Sequence, residues 1–388
     1  MIEFCAMKVI VIGAGASGVV AAINYKRNHK SDDVLIIEHL DKPLKKLLAS
    51  GNGKCNLGNS NIDFGLYNNP QLAKSIIKDY NYKEFFSSIS IETKTMGDLA
   101  YPVSESAVSV KDALLNAAKE LGIQINLEEK LLDYKVNNQI KVLTNKSEYL
   151  ADKLYIAGGL KSSPKLGSDG SVLDILEKHN YKVSTPQPGL SPLFTKEKTK
   201  SIDGIRVKAK VTLLEDGKKV HEELGEVLFK EHGLSGIVIF NTMSLIARNT
   251  QKNHEISLDL LPDFSEDYLK NYRKSHKFSE LLLAFLNPKI SAYLQDRFNN
   301  EENIFSSLKN LKFTFDKSYG FDFSQVSVGG VLASEIDENL MSKHEKNVFI
   351  IGELLNIDGP CGGYNLTWAF ASAIKSTKNL LIYIIKGL

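Results

Sequence analysis

Residues Lys8 to Ile12 form a β-branched, apolar run, and Gly13-Ala14-Gly15-Ala16-Ser17-Gly18 follows it without a spacer. A buried parallel strand that leads straight into G-x-G-x-x-G leaves few folds open. Gly13 permits the tight turn, Gly15 lets the backbone approach a pyrophosphate, and Gly18 lets the following helix pack close to the strand. The helix expected to open at Ser17 aims unsatisfied N–H groups and its positive dipole end at phosphates. Val19, Ala22 and Ile23 give that helix a core-facing stripe. A second strand, Val34 to Ile37, ends on Glu38, twenty residues after Gly18, where the fingerprint calls for an acid to hold a ribose hydroxyl pair. Glycines alone describe any Gly-rich turn; strand, helix, second strand and acid in register describe dinucleotide binding.

The length of 388 residues calls for more than one core, because a single core stops growing at about 250 to 300 residues. Hydrophobic residues at 43% and charged residues at 24% are the profile of a globular protein. The longest apolar stretches, such as Leu281 to Leu286 and Val348 to Ile351, fall far short of the roughly 20 residues that span a bilayer. Met1 runs almost directly into Val9-Ile10-Val11-Ile12 with none of the marks of a signal peptide, so a cytoplasmic protein with no membrane contact is expected. Cys5, Cys55 and Cys361 have no C-x-x-C spacing, and an odd count argues for reduced thiols. The eight histidines show no metal-ligand spacing, and His232 reads as a loop residue. Positive charge comes almost wholly from Lys, since the arginines are Arg27, Arg206, Arg248, Arg273 and Arg297. That balance carries no nucleic-acid footprint.

Three later segments bear on the cofactor. Lys45-Lys46-Leu47-Leu48-Ala49-Ser50-Gly51-Asn52-Gly53-Lys54-Cys55-Asn56 is a loop whose N–H groups and Lys54 ammonium suit a pyrophosphate or a flavin edge, and equally suit a solvated turn. Lys153 to Gly159 reads as a strand ending in Ala157-Gly158-Gly159, bare backbone against which a cofactor can lie; Pro164 to Gly170 continues as a turn-rich loop. Asn347 to Glu353 reads as a buried strand that ends in Gly352-Glu353, and Asp358 to Asn365 leads into a helix from Leu366. A late Glu suits ribityl hydroxyls, and a glycine-led helix start suits negative charge on a reduced isoalloxazine. Nicotinamide cofactors have no ribityl chain, so these parts favour FAD. Tyr364 and Asn365 stand at this helix start, with packing and function equally open for Tyr364. Cys55 and Cys361 read as small buried residues and not as a redox pair.

Taken together, the chain resembles the flavoproteins of the BaiN, YhiN and aminoacetone-oxidase type, a family of NAD(P)/FAD-dependent oxidoreductases. The marks that carry the resemblance are Ser50 to Asn56, Tyr101-Pro102-Val103-Ser104, Gly225 to Phe229 with Gly233 to Gly236, Gly329-Gly330-Val331, and Gly352-Glu353 through Asp358-Gly359 to Gly363-Tyr364-Asn365-Leu366. The resemblance implies an α/β fold: a glutathione-reductase-like, Rossmann-type FAD-binding domain over residues 1–187 and 321–388. It also implies an inserted small β-barrel domain over 188–255 and 312–320, and a helical subdomain over 256–311. Pro186, Pro188 and Pro192 punctuate the linker, Ile205 to Leu214 and Gly225 to Phe229 read as short strands, and Leu281, Leu282 and Phe285 share a helix face. FAD held non-covalently would contact Gly13, Gly15, Ala16, Ser17, Gly18, Glu38, Lys46, Ser50, Gly51, Gly53, Lys54, Cys55, Asn56 and Leu131. Ala157, Gly158, Gly159, Gly352, Glu353, Asp358, Gly363, Tyr364, Asn365 and Leu366 complete the set. The chain departs from the family in carrying Asn356 where Asp is common and Ile237 where Pro is common, which puts a catalytic acid at 356 in doubt.

One glycine fingerprint leaves no second nucleotide domain, so NAD(P)H is expected to dock transiently and reduce the flavin, which passes hydride to a small organic acceptor such as an enone. Two alternatives stand beside this: a flavin oxidase of an amine or aminoketone that uses O2, and a flavin-bound RNA-modification or sensor protein. No catalytic residue and no oligomeric state is legible.

Overall fold

The apolar run at the N-terminus folds as β1 (Lys8–Ile12), followed by helix α1 (Ala16–Asn28) and β2 (Asp33–Ile37). A one-turn helix α2 (Lys45–Leu48), then β3 (Gln124–Asn126), β4 (Lys153–Ile156), β5 (Val348–Ile350) and helix α3 (Tyr364–Ser376) complete the parts that concern the site. The five strands form one sheet in the order β5-β4-β1-β2-β3, and each neighbouring pair is parallel. This is the doubly wound order 3-2-1-4-5, in which a ligand lies beyond the carboxyl ends where the order reverses, between β1 and β4.

The computed structural model describes residues 6–378; Cys5 lies outside them. The chain divides into two compact units, one running to Gln187 and resuming at Val326, the other Pro188–Gln325. No helix among the described residues is long and apolar enough to cross a membrane.

In the first unit the register sets the site. Ile12 pairs with Ile37 on one side and Ile156 on the other, and Ile156 pairs with Ile350. The strands therefore end level, and Gly13, Glu38, Ala157 and the Ile351-Gly352 step emerge along one rim. Backbone bonds Gly13 N–H to Ile37 O (2.8 Å), Ala157 N–H to Ile12 O (2.8 Å) and Ile351 N–H to Ile156 O (3.1 Å) carry the ladder one residue further. α1 opens at Ala16, one residue before the expected Ser17, and is buried almost all round, from Ser17 to Ile23 and at Tyr25. Trp368 of α3 is 1% exposed and donates from Nε1 to Gly352 O at 2.9 Å, which fixes the turn after β5 against the core.

The second unit holds a closed six-strand barrel in the order Leu193–Thr195, Gly233–Ser235, Lys218–Lys230, Arg206–Glu215, His254–Asp259, Leu311–Ser318. Val211, Leu213, Val227, Phe229, Ile256, Leu258 and Phe313 are fully buried in it. Asp216 (φ +48°) and Gly217 (φ +78°) form the two-residue loop of its long hairpin, a pair whose left-handed conformation matches the twist of the flanking strands. Four helices, Glu266–Ser275, Phe278–Phe285, Pro288–Arg297 and Glu301–Ser307, lie between the last two strands. Two boundaries differ from the sequence reading. His254–Asp259 pairs on both sides inside the barrel, so the helical stretch starts at Glu266 and not at 256. The second unit runs to Gln325 and not to 320, because Gln325 N–H is bound to Leu190 O.

Candidate functional site

The glycine turn is built by exclusion. Gly13 has φ +97°, and a Cβ there would lie 2.7 Å from Ala157 O. A Cβ on Gly18 would lie 1.9 Å from Gly13 O, so only glycine lets α1 sit this close to the turn. Gly15 is different: a Cβ there meets no protein atom within 4 Å. The space in front of it is open, and α1 has neither a side-chain cap nor an acid in its first turn. An uncapped helix start facing open space fits a polyanion.

Glu38 flanks the turn. Its Oε2 accepts from Ala14 N–H at 2.6 Å and its Oε1 from Leu40 N–H at 2.9 Å, with His39 Nδ1 3.1 Å from Oε1. Burial by itself raises the pKa of this carboxyl, but the bonds from His39, Leu40 and Ala14 outweigh it and hold it below the usual carboxylate range. A carboxylate has about four acceptor lobes, so one on Oε2 is left for a hydroxyl. Leu131, buried, starts a three-strand meander, Leu131–Val136, Ile140–Thr144 and Glu148–Ala151. The chain just before it binds the Glu38 segment through Glu129 N–H to Glu38 O at 2.8 Å.

At the other end of the rim stands Glu353. Its Oε1 accepts from Ser162 Oγ at 2.6 Å and Ser327 N–H at 2.9 Å, and its Oε2 from Lys46 Nζ at 2.5 Å. Lys46 also reaches Ser162 Oγ at 2.5 Å and Ser168 Oγ at 3.5 Å. Gly159 (φ +69°) lies beside this network, a Cβ there being 3.1 Å from Ser168 Oγ and 3.9 Å from Glu353 Oε2. Ser162, Ser168 and Ser327 were absent from the sequence reading. Only the fold brings them to Glu353.

The Ser50–Asn56 loop holds Gly51 and Asn52 in the left-handed region, at φ +57° and +53°, and a Cβ on Gly51 would lie 2.8 Å from Asn56 N. Gly53 is exposed with open space at its Cβ position. Lys54 pairs with Glu105 at 2.7 Å, as does Lys94 at 2.5 Å; bonds from these two ammonium groups hold the Glu105 carboxyl down at about 2. Cys55 is fully buried, and burial pushes its thiol up to about 11. A thiol so shielded is a poor nucleophile. Iodoacetamide at pH 8 is therefore expected to label the half-exposed Cys361 well before Cys55, as read by peptide mass spectrometry; equal rates would contradict this.

The loop before α3 is tied by its own residues. Asn365 Oδ1 accepts from Gly359 N–H at 3.0 Å and its Nδ2 donates to Gly359 O at 2.8 Å. Tyr364 is 6% exposed, packs its ring 5.3 Å from that of Tyr67, and accepts from Asp63 N–H at 3.3 Å. Burial raises its phenol above the ordinary value, so Tyr364 is a packed, neutral side chain. Asn68 Nδ2 donates to Asn356 Oδ1 at 3.1 Å while its Oδ1 accepts from Asp358 N–H at 3.0 Å, which gives Asn356 a structural use. Gly363 (φ +89°) caps α3; a Cβ there would lie 2.4 Å from Gly58 O. Among the described residues no three His, Cys, Asp or Glu side chains are arranged to hold a metal.

A glycine turn, two acids at opposite ends of one sheet rim and a glycine-led helix start are the parts of a Rossmann-type FAD-binding protein, here an FAD-dependent oxidoreductase. Residues 7–379 match the family model described as "HI0933-like protein Rossmann domain", and the chain belongs to that family of flavoprotein oxidoreductases. It is 30% identical over 93% of its length, and 96% of the relative's, to a 3-dehydro-bile acid delta(4,6)-reductase of Clostridium scindens. It is 27% identical over 96% of its length, and 97% of the relative's, to a ribosomal RNA dihydrouridine synthase of Escherichia coli. Among solved structures it is similar to a 3-ketosteroid delta1-dehydrogenase from Sterolibacterium denitrificans, at 10% identity and a TM-score of 0.49, covering 99% of this chain and 100% of that one.

Proposed function

We propose that this chain reduces a carbon–carbon double bond conjugated to a carbonyl in a small organic acceptor, with NAD(P)H docking transiently as the reductant. The observation that carries the reading is the 30% identity along nearly the whole chain to a protein named as a bile acid reductase. When bound, FAD supplies two-electron chemistry, taking hydride from a nicotinamide and giving it to carbon.

The chain's own residues bind and orient. The N–H groups at Gly15 to Gly18 would hold the pyrophosphate, with the α1 dipole behind them. The open acceptor lobes on Glu38 and Glu353 would take ribose and ribityl hydroxyls. The Ser50–Asn56 loop and the α3 start, Gly363 to Leu366, would border the ring, where the helix's positive end favours negative charge. Asn365 and Tyr364 act at one remove, by holding that helix start in place.

A second reading takes the uracil ring of an RNA as the acceptor. The relatives named as ribosomal RNA dihydrouridine synthases favour it, and uracil too holds a double bond conjugated to a carbonyl. The near-even balance of 48 basic and 46 acidic side chains supports the small-molecule reading, because RNA binding draws on clustered positive charge.

The test is anaerobic rapid mixing of the holoenzyme with NADPH and with NADH, followed by a 3-oxo-4-ene steroid or a ribosomal RNA transcript. Bleaching of the flavin by either nucleotide, and its return on adding the steroid, is expected. Return only with RNA would select the second reading. No bleaching by either nucleotide, with peroxide formed from an aminoketone in air, would replace both by the oxidase.

A further inference from the structure

Lys46 spends its donors inside the protein. An ammonium has three N–H bonds, and those of Lys46 face Glu353 Oε2, Ser162 Oγ and Ser168 Oγ at 2.5, 2.5 and 3.5 Å. The two serines are buried, and the side chains of Lys46 and Glu353 are 29% and 22% exposed. Glu353 is engaged through three of its four lobes: both Oε1 lobes accept from Ser162 and Ser327, and one Oε2 lobe accepts from Lys46, which leaves the second Oε2 lobe open. Four segments separated in sequence, α2, the Ser162–Ser168 loop, the strand Val326–Val331 and the turn after β5, meet in this network. A lysine so tied cannot reach out to a phosphate without abandoning its carboxylate.

We propose that Lys46 is the counter-ion and positioning residue of Glu353, and that the pair keeps this end of the cofactor site without net charge when electrons enter the flavin. The inference rests on the reading that FAD lies along the rim of the sheet. Partly buried charges act at an effective dielectric well below that of water. A lone Glu353 carboxylate would oppose the negative charge that a reduced flavin gains, and a lone Lys46 ammonium would favour it. The sign of the effect therefore reverses with the partner removed, which no loss of packing would produce.

The experiment measures the midpoint potential of bound FAD by dye equilibration, and FAD affinity by flavin fluorescence, in the wild type, K46M, E353Q, K46M/E353Q and K46R. K46M is expected to favour oxidised over reduced FAD about tenfold relative to the wild type, close to 30 mV more negative for a two-electron couple. E353Q is expected to shift the potential to more positive values, the double variant to return close to the wild type, and K46R to stay near it. An unchanged potential in K46M, or shifts of the same sign in K46M and E353Q, would overturn the proposal while leaving FAD binding intact. If K46M does not fold, the direction of the E353Q shift decides, a negative or zero shift overturning it. A wild type that binds no FAD would instead bring down the functional reading itself.

Discussion

Gly18→Ala is expected to abolish FAD binding and to destabilise the first unit by about 3 kcal/mol, the upper end of overpacking costs in a filled core. The new Cβ would lie 1.9 Å from Gly13 O, 3.1 Å from Gly13 C and 3.3 Å from Val11 Cγ1. The two nearest of these atoms are backbone, so no side chain can rotate away. The turn has no room to retreat either, since Gly13 already faces Ala157 O at a distance that would forbid a Cβ of its own. α1 would have to lift from the sheet, which moves every N–H at its start. Gly15→Ala separates the two roles of the turn. Gly15 has ordinary φ (−78°) and open space at its Cβ position, so the apo-protein should melt at the wild-type temperature while FAD affinity drops tenfold or more. Thermal melts of the apo-forms together with flavin fluorescence titrations check both. A Gly15→Ala protein that binds FAD as tightly as the wild type would place the pyrophosphate elsewhere.

The contrast between these glycines shows which parts of the site were legible. β1, the glycine turn, α1, β2 and Glu38 lie within about thirty residues and follow local rules: a β-branched run, left-handed turns, an acid at a strand end. Their places in the sheet could be read directly. The Glu353 network could not, because its members are 307, 191 and 26 residues apart from Glu353 in sequence, and a serine has no pattern that marks it as a ligand of a distant carboxylate. For Tyr364 the sequence leaves packing and function equally open, and its burial shows a packed side chain; Asn365, expected at the cofactor, is bonded to Gly359 in the loop before α3. In the second unit the strand Lys218–Lys230 is much longer than the Gly225–Phe229 run that periodicity identifies. Its first half, Lys218 to Leu224, is exposed or half-buried and held by pairing with Arg206–Glu215, so no apolar face reports it. The Asp216-Gly217 turn was the available signal for that hairpin.

Glu345→Ala is expected to lower the melting temperature of the first unit by roughly 6–20 °C, from a cost of about 3–5 kcal/mol for removing one partner of a buried charged cluster. Glu345 Oε2 accepts from Tyr134 Oη at 2.5 Å and lies 2.8 Å from Tyr181 Oη, while Oε1 lies 2.8 Å from His179 Nδ1. His179 Nε2 lies 2.9 Å from Asp133 Oδ1, and its ring stacks on Tyr134 at 4.0 Å. The cluster joins the meander, the end of helix Ser171–Lys178 and the Ser342–Glu345 segment, with side chains of His179 and Glu345 only 14% and 16% exposed. Burial lowers the His179 pKa, but its bonds to Asp133 and Glu345 outweigh this and leave it raised. Burial likewise raises Asp133, and its bonds to His179 and to Tyr134 N–H leave it lowered. A raised histidine contributes stability that is complete below its unfolded pKa of about 6.5 and is lost as pH rises through the folded value. A lowered aspartate contributes stability that is present above about 3.8 and is lost as pH falls through its own folded value. The cluster is thus strongest between about pH 4 and 6.5. Removing Glu345 takes away part of what raises His179, so the gap in melting temperature between wild type and Glu345→Ala should be widest near pH 5 to 6 and narrow toward pH 9. Melts across that range decide it: a gap that is constant with pH would mean that His179 carries no charge in the folded protein and that the loss is one of packing and hydrogen bonds alone.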